Sequence, residues 1–149
     1  MPSLLHSSTK LRCRNMGRSR RSGAAVVEFA VVVPLLFMVI LGIIEFGRAM
    51  MVGELVNNAA RTGCRQGVLN GSATSDIQTA VNNCVNSAGI GSTTINVLVN
   101  GTPADASTAV TGDSITVTVT APFNQNSWIP TPVFLNGRSV SGNAVMRRE

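Results

Sequence analysis

The stretch Ala24 to Ile44, AAVVEFAVVVPLLFMVILGII, constrains this chain more than any other feature, being apolar except for Glu28 near its leading end. At about 1.5 Å per helical residue it spans roughly 31 Å, against a bilayer hydrocarbon core of about 30 Å. A single membrane crossing is the expectation. The uncharged part, Phe29 to Ile44, has 16 residues and holds Pro34 and Gly42, so by itself it makes a marginal span. Glu28 therefore matters. A carboxylate costs on the order of 2.5–3.5 kcal/mol at the centre of a bilayer and less near the interface. Either it is solvated among the cytoplasmic headgroups, or a partner holds it inside lipid.

Charge gives the span a direction. Of the 12 basic residues, Lys10, Arg12, Arg14, Arg18, Arg20 and Arg21 precede Gly23, in a segment without acids. The other six face seven acids, so the chain after Gly23 is slightly acidic although the whole carries +5. A basic cluster directly before an apolar span is a topology signal that stays cytoplasmic, with Arg18, Arg20 and Arg21 nearest the membrane. The expected organisation is a basic cytoplasmic leader over 1–23, a transmembrane helix over 24–44 and one α+β head outside over 45–149. The apolar run is longer than the core of a cleaved secretory signal, and Arg20-Arg21 lacks the apolar residues that should follow a twin-arginine pair. Tyr is absent and Trp single, with no interleaving of basic and aromatic residues, so nucleic acid is not an expected partner.

Beyond the span, Met51, Leu55, Ala59 and Gly63 recur at fourfold spacing, which extends the helix to about Gln66, with Gly67 and Asn70-Gly71 as its stop. Ser75-Asp76-Ile77-Gln78 has the form of a capping box. The helix it opens carries Ile77, Ala80, Val81, Cys84, Val85 and Ala88 on one face, and Gly89 stands at its C-terminal cap. From Thr94 the period becomes two. Ile95, Val97 and Val99 predict a strand ending at the Asn100-Gly101 turn, and Ile115, Val117 and Val119 alternate with Thr116, Thr118 and Thr120 in the clearest strand of the chain. After a proline-rich crossing, in which Trp128, Ile129, Val133 and Phe134 are expected to cover the core, a last strand runs from Ser139 to Arg147. The fold class is α+β: a long N-terminal helix, a short helix and an antiparallel sheet of about three strands, which needs helix packing to be stable.

Little here suggests catalysis. The one histidine, His6, lies in the leader, so a His-based triad, metal site or general base has no residue in the head. Asp76, Asp105 and Asp113 are scattered near turns and a helix start, and no phosphate-binding glycine loop occurs. The expectation is a non-enzyme without catalytic residues, metal or cofactor. A membrane-tethered hydrolase, the competing class, would need an acid pair such as Asp105 and Asp113. Cys64 and Cys84 lie on opposite sides of the Asn70-Gly71 turn, one on each predicted helix. Outside the cytoplasm they can form a disulfide, which in the loop-entropy model contributes about 3 kcal/mol for a loop of about 20 residues. The favoured reading is that bond, with Cys13 uninvolved. Two buried thiols are the alternative.

The densest constellation is Arg20-Arg21-Ser22-Gly23-Ala24-Ala25-Val26-Val27-Glu28-Phe29. A cut after Gly23 removes every basic residue of the leader and leaves a new amine on Ala24, one helical turn from Glu28. In a stack of helices the Glu28 carboxylate of one subunit can neutralise the Ala24 amine of its neighbour within lipid.

The segment RRSGAAVVEFAVVVPLLFMVILGIIEFGRAMMVGELVNNAAR resembles the N-terminal region of TadE-like proteins, pseudopilin-type components of the bacterial tight-adherence (Flp-type) pilus assembly system, and the ending SVSGNAVMRRE is similar as well. The resemblance implies a prepilin-peptidase site between Gly23 and Ala24, with Glu28 and Phe29 at the fifth and sixth positions of the processed chain, where they pair subunits in the membrane. It also implies other pilin or pseudopilin subunits and the prepilin peptidase as partners, in a homo- or hetero-oligomer at the bacterial inner membrane. The rival reading is a permanently anchored envelope protein that keeps its leader and binds a partner or cell-wall component through its head.

Overall fold

The computed structural model describes residues 19–149, with side chains from Gly23 onward. Met1 to Arg18, with most of the basic leader, Cys13 and Arg18, lie outside the described residues, as do the side chains of Arg20 and Arg21. In chain order the elements are α1 (Ser19–Gly67), α2 (Thr74–Ser87), β1 (Thr94–Val99), β2 (Thr102–Pro103), a 3-10 turn (Ala106–Thr108), β3 (Ser114–Pro122), α3 (Phe123–Asn126) and β4 (Ser139–Arg147). This is the expected α+β composition with four strands instead of about three. The chain divides into two compact units, one up to Met38 and one from Val39 to Glu149.

In the first unit every described residue is helical. The chain is already helical at Ser19, the first described residue, and stays so through Met38. From Gly23 to Met38 the side chains are exposed, apart from half-buried Val33. Pro34 lies inside the helix, where its missing N–H and ring cost about 3 kcal/mol in a soluble helix. Such prolines are tolerated in membrane helices.

In the second unit the sheet order is β2-β1-β3-β4, all antiparallel. Asn100 and Gly101 both have positive φ, 51° and 81°, and join β1 to β2 in a two-residue hairpin with Val99 opposite Thr102. Two left-handed residues are what this tight turn requires, which is why Asn-Gly suits it. The short β2 is the strand that periodicity missed, since two residues carry no pattern. Val97, Val117 and Ala144 form one row across the sheet. Ile115, Val117, Val119 and Ala121 face inward and are buried, while the threonines between them lie on the outer face, as the alternation requires.

The inner face is covered by Val52, Val56, Ala59, Ala60 and Cys64 of α1 and by Ile77, Val81 and Val85 of α2. The buried stripe of α1 keeps the expected Ala59 and Gly63, but nearer the span it runs through Val52 and Val56, with Leu55 half-buried beside it and Met51 exposed. Small residues set the spacing. A Cβ on Gly63 would stand 2.6 Å from a methyl of Val81, and one on Gly142 would stand 2.6 Å from the carbonyl carbon of Val56. β4 therefore runs along α1: Val140 meets Gly53, Gly142 meets Val56, and the thiol of Cys64 donates to the carbonyl of Ala144. At its end the buried Arg148 guanidinium donates to the carbonyls of Gly67, Leu69 and Ala109, closing the C-terminus of α1 with a cation.

Two local expectations are corrected. α2 is preceded by Ala73 as its N-cap instead of Ser75, and the Asp76 carboxylate, three residues on, accepts from the Ala73 amide at 2.9 Å. Asp76 supplies the reach-back half of a capping box without a hydroxyl partner. At the other end Gly89, with φ 67°, follows the cap residue Ala88. Its amide bonds Asn86 O, and the Ile90 amide bonds Val85 O, which closes the helix with a Schellman motif. Second, Trp128, Val133 and Phe134 do not cover the core. They are 66%, 59% and 49% exposed, and Phe123 of α3 is the aromatic residue that is buried.

Candidate functional site

The residues singled out by sequence fall in separate places. Gly23, Ala24, Glu28 and Phe29 lie on α1 with their side chains exposed. Arg20 and Arg21 belong to the same helix. Cys64 and Cys84 are both free thiols, which corrects the expected disulfide. The reason is rotational. Cys64 shares the stripe of Val56 and Ala60, so its sulfur points at the sheet, 3.1 Å from Ala144 O and 3.6 Å from Ile115 O, instead of at α2. Burial pushes its thiol pKa up, against the opposing influence of the Val117 and Met146 backbone. Cys84 is only half-buried on α2.

The three head aspartates each serve a local turn. Asp76 holds the start of α2, Asp105 accepts from Ser107 N in the 3-10 turn, and Asp113 accepts from Val110 N and from the Asn100 side chain. Among the described residues no cluster of three or more His, Cys, Asp or Glu is arranged to hold a metal.

The polar assembly with the most organisation involves two residues that sequence reasoning passed over, Glu45 and Arg48. They stand three apart on α1, one turn of helix, and both are buried. The Glu45 carboxylate accepts three successive backbone amides: Val133 at 2.6 Å, Phe134 at 2.9 Å and Leu135 at 3.2 Å. Burial pushes its pKa up, but the three amides outweigh that and hold it below the ordinary carboxylate value. The Arg48 Nε donates to Asn126 O at 2.7 Å, and its guanidinium lies 5.0 Å from the centre of the Trp128 ring. That is a cation–π distance. Asn126 in turn accepts from Gly91 N and donates to Pro122 O. One turn before Glu45, Gly42 leaves room for the Phe134 ring, whose edge would lie 3.4 Å from a Cβ there.

The proline-rich crossing is thus pinned to the helix by a carboxylate, a guanidinium and a glycine. A signal for this was present in the sequence: two charges at i, i+3 directly after an apolar run. Its partners were not identifiable, because bare backbone amides have no residue signature.

The arrangement defines a class of protein: a small antiparallel head built on the C-terminal part of a helix whose N-terminal part is apolar and uncovered. None of the residues in that helix's most apolar 18-residue window is buried. Residues 23–65 match the family of TadE-like proteins, in agreement with the resemblance noted from sequence. The match begins at Gly23, includes Glu28, Glu45 and Arg48, and covers α1 without the sheet. No curated protein and no solved structure matches the chain.

Proposed function

We propose that this chain is a single-span, pseudopilin-type structural component of a tight-adherence (Flp-type) pilus assembly or related secretion system, non-catalytic and seated in the bacterial inner membrane. The observation that carries it is the coincidence of the TadE-like match with the helix whose apolar stretch has no buried side chain. Ala24 to Ile44 crosses the bilayer, the basic leader over 1–23 stays in the cytoplasm, and the head over 45–149 stands outside. Prepilin peptidase cuts between Gly23 and Ala24. Glu28 and Phe29 then face neighbouring subunits, with the Glu28 carboxylate opposite a neighbour's Ala24 amine.

Intact mass and N-terminal sequencing of the membrane-extracted protein test the processing step. Loss of Met1 to Gly23 with Ala24 as the new terminus is the expected result. Retention of the whole leader supports the rival reading of a permanently anchored envelope protein. For orientation, protease added to spheroplasts should digest the head; digestion of the leader alone would reverse the topology.

A further inference from the structure

We propose that the loop from Ser127 to Leu135, SWIPTPVFL, is a membrane-interface collar: it rests in the headgroup region of the outer leaflet beside the end of the span and fixes the height and tilt of the head. This rests on the reading that Ala24 to Ile44 crosses the bilayer.

Position comes first. Phe134 packs on Gly42, within the last turn of the apolar stretch, and Glu45 grips the next three amides of the same loop. The loop is therefore held at the level where the apolar run ends. Its surface is then of the kind an interface accepts. Trp128, Val133 and Phe134 are exposed on it, and no charged residue occurs from Asn124 to Gly137. Ile43, Phe46 and Met50 are exposed at the same level of the helix, on the side turned away from the loop, so apolar surface is presented there as well. Tryptophan belongs at the headgroup level, and an arginine beneath it reaches the same zone.

The backbone is suited to the same place. A loop in water leaves its amides to water, whereas one pressed against the hydrocarbon boundary loses less when its amides are paired internally or absent. Pro130 and Pro132 have no N–H. Val133, Phe134 and Leu135 donate to Glu45, and Ile129 donates to the Ser127 hydroxyl at 3.1 Å. Most of the donors along the loop are thus removed or paired before any membrane is met. The buried carboxylate of Glu45 prepares the loop for low dielectric.

Trp128 is the chain's single tryptophan, so its fluorescence reports on the collar alone. The full chain is reconstituted in phosphatidylcholine vesicles and compared with a variant carrying Trp128→Phe and Val110→Trp, which moves the reporter to an exposed loop residue near the far end of α1. The expected result is that lipids brominated near the carbonyl region quench Trp128 more than lipids brominated at mid-chain. Iodide should quench it severalfold less than the Val110→Trp reporter. Full iodide access at Trp128 in protein that floats with the vesicles and resists carbonate extraction overturns the collar and leaves the span intact. Shielding from iodide without bromine quenching, lost on dilution into excess lipid, makes a second copy the occupant and also overturns it. Failure to float removes the span and the collar together.

Discussion

The Glu45 carboxylate and the Val133 amide, 88 positions apart in sequence, meet at 2.6 Å, and the same carboxylate takes the next two amides as well. A neutral amide cannot reproduce this. Glu45→Gln keeps one acceptor oxygen but turns an NH2 donor toward amides that also donate, so it should release the loop while the sheet stays folded. Hydrogen exchange should show faster exchange at Val133, Phe134 and Leu135, with protection in β3 unchanged. Protection at those three amides equal to wild type would mean that the loop is held from elsewhere.

Acid should weaken the head through three carboxylates. Glu45 is pushed up by burial but held below its ordinary pKa overall by its three amides, Asp105 is lowered first by the Ser107 amide, and Asp113 first by the Val110 amide. A carboxylate whose folded pKa is depressed contributes stability that is fully present above its unfolded value, about 4, and is lost as pH falls through the folded value. Thermal melts should therefore be flat from neutral pH to about 5 and fall below about 4. Glu45→Gln, which cannot titrate, should shift less between pH 5 and pH 3 than wild type. A steeper acid dependence in that variant would assign the loss to other groups.

Glycine substitutions should separate close packing from helix propensity. At Gly142 a methyl would meet the backbone of Val56 and Asn57, which cannot turn aside as a side chain can. Gly142→Ala should therefore destabilise by at least the ~1–3 kcal/mol typical of overpacking. Gly47 is helical and exposed, and a methyl group there would have nothing within 4 Å. Gly47→Ala should stabilise by about 0.5–1 kcal/mol. Urea melts of the two variants in detergent give both signs.

Local patterns in the sequence specified the strands closely. The period-two runs in Thr94 to Val99 and Ser139 to Arg147 end where β1 and β4 end, because one face is buried and a one-residue slip would invert it. The helix faces were legible only to within a residue. Met51 and Val52 are both apolar, and the helix has a single side against the sheet, which took Val52. Cys64 lies on that same side, with its sulfur on the carbonyls of Ile115 and Ala144 in the strands. The grip of Glu45 on Val133, Phe134 and Leu135 was beyond sequence reasoning, since it joins distant segments through backbone groups common to every residue.

Thiol chemistry should follow the burial of the two head cysteines. Cys64 is completely enclosed and its thiol pKa is raised by burial, whereas Cys84 is half-buried. The thiolate is the reactive form, so burial and a raised pKa slow reaction together. Iodoacetamide applied to the native protein should modify Cys84 first, and Cys64 only after denaturant, by peptide mapping. Equal rates under native conditions would contradict the packing of α1 on the sheet.

Glu28 offers the sharpest test of the proposed assembly. It is exposed on α1, in a stretch where its neighbours are apolar, so among the described residues it has no desolvated partner to lose. If it lies among solvated headgroups, Glu28→Gln should leave both insertion and association nearly unchanged. If it faces the Ala24 amine of a processed neighbour, the same change should leave insertion intact or improved and strand a charged amine at low dielectric. Removing one member of a desolvated pair weakens association by about tenfold or more. Crosslinking of membrane-resident subunits should therefore fall by that order in Glu28→Gln, at matched membrane levels and with the Gly23–Ala24 cut still made. Glu28→Asp, which keeps the charge on a shorter arm, should retain part of the wild-type yield. Crosslinking equal to wild type in both variants would return Glu28 to the headgroups and remove the pairing from the mechanism.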